Sequence, residues 1–244
     1  LTGPIPSSLG KLIKLTHLDL SFNNLTGSIP NSLGSISSLE ALDLGFNALS
    51  GSIPASLGNL TSLISLTLSQ NMLNSVIPDE LSNCTSLEIL SLDRNAITGS
   101  IPNRFGTLPN LTIVNLFSNN LTSSIPSGFP RAQQILLSNN FFYGIIPFSS
   151  DNLLDNIILD LSSNYFEGSL PTPFVPGAKL DNNCFTNAVN QRSFETCQSF
   201  YAERGLTFQG ATAAPSPNIS DQDVKKRNHL VPIIVGATVG GFTL

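Results

Sequence analysis

Few residues of this 244-residue chain have the types and spacing that catalysis or metal binding requires. His17 stands two positions from Asp19, but the pattern implies no serine or cysteine nucleophile beside them. The two histidines and three cysteines do not cluster with the spacing of a metal site, and no glycine-rich phosphate loop is present. The sequence therefore predicts a chain that is not an enzyme and holds no cofactor or metal. Its net charge of -5 gives no basic footprint for nucleic acid.

A repeat with a period of 24 residues organises most of the chain. The string LTHLDLSFNNLTGSIPNSLGSISS begins at Leu15, and similar strings begin at Leu39, Leu63, Leu87 and Leu111. Residues 1–14 are a partial unit, and two less regular units begin at Ala132 and Asn156 before the pattern ends near residue 175. A period of this length predicts a solenoid, because one coil of chain cannot bury its leucines until a neighbour stacks on it.

The template LxxLxLxxNxLxGxIPxxLGxLxx assigns a structure to each part of a coil. The segment LxLxx predicts a short strand, so that stacked coils form a parallel β-sheet on the concave side of an α/β solenoid. The segment xxLGxL predicts a short helical turn on the convex side. An asparagine recurs where each coil turns inward, and its amide has the donors and the acceptor needed to satisfy backbone groups there. The column comprises Asn23, Asn47, Asn71, Asn95, Asn119, Asn140 and Asn164.

A column of glycines follows the asparagines, with Ser75 and Ser123 at two of its positions. Glycine permits backbone angles that other residues avoid, so these two serines predict a turn that tolerates a small polar residue. The Ile-Pro pairs that come next predict an extended stretch that leaves the strand.

The outward positions of the strands are free for recognition because they do not hold the core. They form columns across the sheet, and their charged and aromatic members are the candidate ligand-binding residues. Phe22 and Phe46 are expected next to each other, with Asp19 and Asp43 alongside; Asp93, Arg94, Asn115 and Phe117 form a second group. The full candidate set is His17, Asp19, Phe22, Asp43, Phe46, Gln70, Asp93, Arg94, Asn115 and Phe117. The alternative is an ordinary solvated sheet surface with Phe22 and Phe46 stacked as a structural spine.

These repeats resemble plant leucine-rich-repeat proteins, in which LTGxIP is a hallmark, over roughly residues 1–175. Within that group the chain looks like the outer part of a receptor-like kinase or receptor-like protein. The resemblance implies a leucine-rich-repeat superhelix outside the plasma membrane, an extracellular peptide or protein ligand, and a co-receptor ectodomain as a further candidate partner. It implies a cytoplasmic kinase only if the chain continues, since no kinase motif occurs here. The alternative is a secreted binding protein, such as an inhibitor of a wall-degrading enzyme.

The region after the repeats has three expected parts. Residues 176–210 are expected to cap the solenoid, and the extracellular context that the resemblance implies favours a disulfide between Cys184 and Cys197 over two free thiols. Cys84 is expected to be a small core residue. Residues 211–229 are a linker, and residues 230–244, LVPIIVGATVGGFTL, are expected to begin a truncated single-pass transmembrane helix, the alternative being a frayed hydrophobic end.

Six Asn-x-Ser/Thr sequons are glycosylation candidates if the chain is secreted: Asn24, Asn59, Asn83, Asn110, Asn120 and Asn218. Asn59, Asn83 and Asn110 are expected at the convex edge, where a glycan leaves the sheet face free. Asn24 and Asn120 directly follow the asparagine column, which makes them weaker candidates.

Overall fold

The computed structural model describes residues 1–127, 132–147, 157–170 and 174–210. The linker 211–229, the apolar segment 230–244 and Asn218 lie outside the described residues. Within the described residues, no helix has the length and apolar character needed to cross a membrane.

One parallel sheet lines the concave side of the solenoid, as the LxLxx segments predict. Its seven strands follow one another in chain order, one from each coil. The middle residue of each strand points into the core, and every such residue from the second strand onwards is at most 2% exposed. The strands are His17–Asp19, Ala41–Asp43, Ser65–Thr67, Ile89–Ser91, Ile113–Asn115, Gln134–Leu136 and Ile158–Asp160.

The asparagine column is a hydrogen-bonded ladder that fastens each coil to its neighbours. The Asn71 amide donates to the carbonyl oxygens of Leu68 at 3.1 Å and Leu44 at 3.0 Å, while its Oδ1 accepts from the Leu49 N–H at 3.0 Å. One side chain therefore satisfies backbone groups of its own coil and of the coil before it.

The ladder runs one coil further than the seven asparagines of the sequence analysis. Asn183 is fully buried; its Oδ1 accepts from the Phe166 N–H at 3.1 Å, and its amide donates to Leu161 O at 2.9 Å. The short motif from Leu180 to Phe185, LDNNCF, repeats the LxxNxF spacing of the earlier coils. It lacks the Ile-Pro and Leu-Gly segments that follow in a full unit, and it therefore does not match the 24-residue template.

A second set of parallel strands, which the sequence analysis did not predict, follows the asparagines. Four strands pair first, and five more pair after an interruption. The first group is Thr2–Pro4, Asn24–Gly27, Ala48–Gly51 and Met72–Leu73; the second is Thr98–Gly99, Asn120–Ser123, Phe141–Gly144, Tyr165–Gly168 and Cys184–Phe185.

The interruption lies at Ser75, one of the two serines in the glycine column. Ser123 adopts the left-handed φ of 77° that the column requires, whereas Ser75 is not among the residues with positive φ. Only an isolated bridge between Val76 and Thr98 spans the gap. The turn therefore accepts serine in two ways: Ser123 keeps the left-handed backbone angle of the column, whereas at Ser75 that angle is lost and the pairing of the strands is interrupted.

On the convex side, the described residues form five 3-10 turns, and each starts directly after a proline of an Ile-Pro pair. They are Ser7–Lys11, Asn31–Ser35, Ala55–Asn59, Asp79–Asn83 and Asn103–Thr107. A Cβ on Gly58 would collide with the backbone carbonyl oxygen of Glu80 in the next turn. The glycine therefore lets adjacent turns stack closely, so that Leu57 and Leu81 are both fully buried.

Replacement of Gly58 by alanine is expected to lower the free energy of unfolding by about 2 kcal/mol, because backbone must move to admit the methyl group. Urea titration followed by circular dichroism measures the loss. Ser35→Ala, at an exposed position of the preceding turn, is the matched control and is expected to change stability by less than about 0.5 kcal/mol. Equal stability of the two variants would show that the turns are not in tight contact.

Candidate ligand-binding face

The inner sheet face presents two columns of strand residues in exact register. His17 pairs with Ala41, and Asp19 with Asp43, in the first strand pair. The register continues without a slip through Ser65, Ile89 and Ile113 in the first column and Thr67, Ser91 and Asn115 in the second. Each step is one strand spacing of about 4.8 Å, so side chains in one column are immediate neighbours.

The column that starts at Phe22 lies in a turn, which corrects its description as an outward strand position. Phe22, Phe46, Gln70, Arg94 and Ser118 have left-handed φ values between 52° and 56°. The N–H of Phe46 donates to Ser69 O of the next coil at 2.8 Å, so hydrogen bonds between coils hold this unusual conformation. The turn redirects the chain towards the buried asparagine and leaves these side chains at the rim of the sheet.

The first predicted group comes together at one end of the face. The Phe22 and Phe46 rings stack with centroids 4.1 Å apart, beside the paired positions of Asp19 and Asp43. Burial raises the pKa of Asp43, and the charge of Asp19 raises it further, against a lowering by the hydrogen bond from Gly45 N–H. The hydroxyl and N–H of Ser21 lower the pKa of Asp19.

The second group surrounds a hollow of about 340 Å³ near the middle of the face. The Arg94 guanidinium lies 5.6 Å from the centre of the Phe117 ring, a cation–π distance. Asp93 accepts hydrogen bonds from Ser69 Oγ and, at 2.9 Å, from Asn115 Nδ2. Gln70 completes the lining from the preceding coil.

The hollow has three further lining residues that sequence reasoning missed: Leu136, Ser138 and Asp160. They belong to the two irregular coils, and the columns drawn from the sequence stopped before those coils. The strings ILLSNN and ILDLSSN carry the same register and are the signal that identifies them.

The His17–Asp19 pair is not arranged for acid–base chemistry. His17 Nδ1 lies 2.9 Å from Thr16 Oγ1, whereas Asp19 bonds to Ser21. Among the residues that the structure describes, no three His, Cys, Asp or Glu side chains are grouped to hold a metal ion.

The five sequons within the described residues are all at exposed asparagines. Asn59 and Asn83 end 3-10 turns on the convex side, and Asn110 lies near that edge with its amide 3.1 Å from Thr85 O. Asn24 and Asn120 begin strands of the second set of parallel strands. A glycan at any of these positions starts away from the inner sheet face.

The C-terminal cap is a helix fastened to the last strand. The helix Phe194–Ala202 begins after Ser193, whose Oγ accepts from the Thr196 N–H at 3.2 Å. Cys184 and Cys197 form a disulfide between strand and helix. The Tyr201 hydroxyl donates to Tyr165 O and accepts from Gly144 N–H, each at 2.9 Å, and so ties the helix to two coils.

Cys84 lies in the core and is fully buried. Its Sγ is 3.4 Å from Leu57 O, and burial raises the pKa of the thiol to about 11. It therefore stays protonated at neutral pH and is a packing residue.

Comparison with known proteins identifies the repeats. Leucine-rich-repeat family models match residues 14–36, 38–60 and 110–132, and a second such model matches residues 50–97. A probable leucine-rich-repeat receptor-like serine/threonine-protein kinase of Arabidopsis thaliana is 45% identical over 53 residues, which is 21% of this chain and 6% of that protein.

Two solved structures represent the structural neighbours. The plant peptide hormone receptor RGFR1 in complex with RGF2 is 41% identical with a TM-score of 0.66, over 70% of this chain and 28% of the receptor chain. A plant ice-binding protein is 26% identical with a TM-score of 0.65, over 91% of this chain and 73% of its own. The chain thus spans 6% of the kinase relative and 28% of this receptor chain.

The fold is that of a leucine-rich-repeat solenoid with a free inner sheet face. The chain contains leucine-rich repeats, and its structural neighbours include plant leucine-rich-repeat receptor ectodomains.

Proposed function

We propose that this chain is the ligand-binding ectodomain of a plant membrane receptor, and that its inner sheet face binds an extracellular peptide or protein. The observation that carries the proposal is a group of aromatic and charged side chains beside a sheet whose core is already complete without them: Phe22, Phe46 and Arg94 are exposed, and Phe117 is half-buried beside Arg94. Such residues are typical anchors in protein interfaces. The likeness to a receptor solved with its peptide hormone supports the same role.

The membrane and partner assignments are part of this proposal. The repeats would lie outside the plasma membrane, with residues 230–244 as the beginning of the anchoring helix, and the sequons on the convex and second-sheet sides suit a glycosylated ectodomain. A co-receptor ectodomain is a candidate second partner. The fragment itself would bind without catalysing a reaction.

Alanine at Phe46 or Arg94 tests the binding face. Each substitution is expected to weaken binding of an extracellular peptide ligand by about tenfold or more, as for an interface anchor. Binding of a panel of candidate peptides is measured by isothermal titration calorimetry, with circular dichroism to check folding.

The chain offers a matched control for each variant. Phe141 is 40% exposed, close to the 38% of Phe46, but lies in the second sheet. Arg104 is exposed on a convex turn. Phe141→Ala and Arg104→Ala are expected to bind as the unaltered chain does. Affinity that is unchanged in Phe46→Ala and Arg94→Ala would exclude this face.

A secreted binding protein is the second candidate. The likeness to the plant ice-binding protein favours it, because that match covers most of both chains. Fractionation of plant cells that express the complete reading frame separates the two: a receptor stays with the plasma membrane, and a secreted protein is recovered from the wall fluid.

A further inference from the structure

Four aspartates of the inner sheet face accept hydrogen bonds at Oδ1: three of them from the backbone N–H two residues further on, and Asp93 from side chains of the two adjacent coils. Ser21 N–H and Ser162 N–H donate to Oδ1 of Asp19 and Asp160 at 2.9 and 3.1 Å. Gly45 N–H donates to Asp43 Oδ1 at 2.9 Å, and Asn115 Nδ2 donates to Asp93 Oδ1 at 2.9 Å. These bonds orient each carboxylate and leave Oδ2 without a hydrogen bond from the described residues.

One of these four carboxylates is already neutralised by a cation. Lys179, in the last coil, places its Nζ 3.8 Å from Asp160 Oδ2. Within the part of the chain that the structure describes, no cation lies within ion-pair distance of Asp19, Asp43 or Asp93. Asp19 and Asp43 stand in the same column as Asp160, so the Lys179–Asp160 pair shows which chemical group fits an aspartate there. Asp93 stands two residues further along its coil than Ser91, the member of that column in the same coil.

The charge of the face over the first coils is strongly one-sided. Between residues 15 and 118 the carboxylates on or beside the inner sheet are Asp19, Glu40, Asp43, Glu88 and Asp93, and the one permanent cation there is Arg94, which lies over Phe117. Burial raises the pKa of Asp43, and the nearby charge of Asp19 raises it further. A cationic ligand would compensate these negative charges and be attracted to the face over a distance.

The surface between Asp43 and Asp93 admits a peptide backbone. Ser65, Thr67, Ser69 and Ser91 line it, and none of these side chains is large enough to block a chain that crosses the strands. Asp43 and Asp93 lie two coils apart, and Asp93 lies two residues beyond Ser91, the residue in register with Asp43. The two positions are therefore separated by about 10 Å along the solenoid and about 7 Å along the strand direction, about 12 Å in all. Three residues of an extended peptide cover about 10 Å, and the long side chains of lysine or arginine span the remainder.

We propose that the inner face selects an extended basic peptide that lies across the strands, with one Lys or Arg at Asp43 and a second three residues away at Asp93. This inference rests on the proposed function, because it names the ligand class of the same face. It predicts a Lys/Arg-x-x-Lys/Arg spacing in the ligand.

Synthetic peptides of one composition test this spacing. Two lysines are placed one, three or six positions apart in an otherwise neutral sequence, and a fourth peptide has two glutamates three positions apart. Calorimetry at low and high salt is expected to give the tightest, most salt-sensitive binding for the three-position peptide. Asp43→Asn and Asp93→Asn, which keep the side-chain shape, are each expected to weaken it by about tenfold, the size of one charge-assisted contact.

Asp79→Asn is the matched control, since Asp79 is an exposed aspartate on a convex turn. It removes the same charge and is expected to leave binding unchanged. An equal loss in Asp79→Asn and Asp43→Asn would attribute the effect to net charge and overturn the proposed contacts. Tighter binding after replacement of Lys225, Lys226 and Arg227 by serine would show that the chain's own basic segment competes for this face, which would support its selection of basic peptides.

The outcomes also separate this inference from the proposed function. One outcome is that a neutral or acidic peptide binds, and that its affinity falls in Phe46→Ala and Arg94→Ala but is unchanged in Asp43→Asn. That outcome supports the receptor role and contradicts the selection for basic peptides. If no peptide of any charge binds the inner face, the proposed peptide-binding role falls as well.

Discussion

Replacement of Asn71 by alanine is expected to destabilise the solenoid by about 3 kcal/mol, because a buried polar network loses its central member. The side chain is 9% exposed, and its Oδ1 is the acceptor that satisfies the Leu49 N–H. The carbonyl oxygens of Leu44 and Leu68 keep a second amide donor, from Asn47 and Asn95. The main cost is therefore one orphaned N–H, three lost donated bonds and a small cavity.

Native-state hydrogen exchange is the appropriate measurement for this variant. Each coil of a solenoid contacts only its neighbours, so the faster exchange should be concentrated at Leu49 N–H and in the coils that begin at Leu39 and Leu63. Urea unfolding reports the total loss. Asn74→Ala changes an exposed asparagine of the same coil and is expected to change stability by less than about 0.5 kcal/mol. If Asn71→Ala exchanged and unfolded like Asn74→Ala, the ladder would not be a stabilising element.

The parts of the fold that were predictable are those in which one residue type has one physical role in every coil. The leucines of LxLxx and the asparagines of the ladder recur because each coil buries the same positions against the same neighbours. Leu42 and Leu66 are both almost fully buried for this reason. The register of the inner face follows directly, since Asp43 comes one full repeat of 24 residues after Asp19 and pairs with it.

The second sheet was not predictable from the pattern of a single coil. Its strands are two to four residues long and carry no alternation of apolar and polar residues, as Asn24–Gly27 shows. They exist because the neighbouring coil supplies hydrogen-bond partners, which is a property of the stack. The break at Ser75 depends similarly on whether one backbone angle is left-handed, and serine is compatible with either outcome, as Ser123 demonstrates.

The candidate site was incomplete for a different reason. The coil that starts at Leu111 is about three residues shorter than the others, so a fixed period of 24 loses the register beyond it. The structure restores the register through the pairing of Asn115 with Leu136 and of Leu136 with Asp160. Alignment on the asparagine of each coil, rather than on its first leucine, would have placed Leu136 and Asp160 on the face.

Simultaneous replacement of Cys184 and Cys197 by serine is expected to lower the free energy of unfolding by about 3 kcal/mol, the chain-entropy value for a loop of this length. The loss should be local, because the disulfide joins the strand Cys184–Phe185 to the helix Phe194–Ala202. Without it, the helix keeps its packing, including the stack of Phe200 on Tyr165 at 3.5 Å, and the hydrogen bonds of the Tyr201 hydroxyl. In limited proteolysis, the segment between strand and helix should then be cleaved at much earlier time points than the repeats are.

The reductant response is the internal control for this prediction. Dithiothreitol should bring the unaltered chain to the stability and protease sensitivity of the double variant and leave the double variant unchanged. Tyr201→Phe tests the second attachment of the helix independently of the disulfide, since it removes the hydroxyl that hydrogen-bonds to Gly144 and Tyr165 but keeps the ring. It is expected to cost about 1–2 kcal/mol, as for a buried hydrogen-bonding group. A double cysteine variant as stable and protease-resistant as the unaltered chain would show that packing and the Tyr201 hydrogen bonds are enough to hold the helix, and the disulfide would then have no structural role.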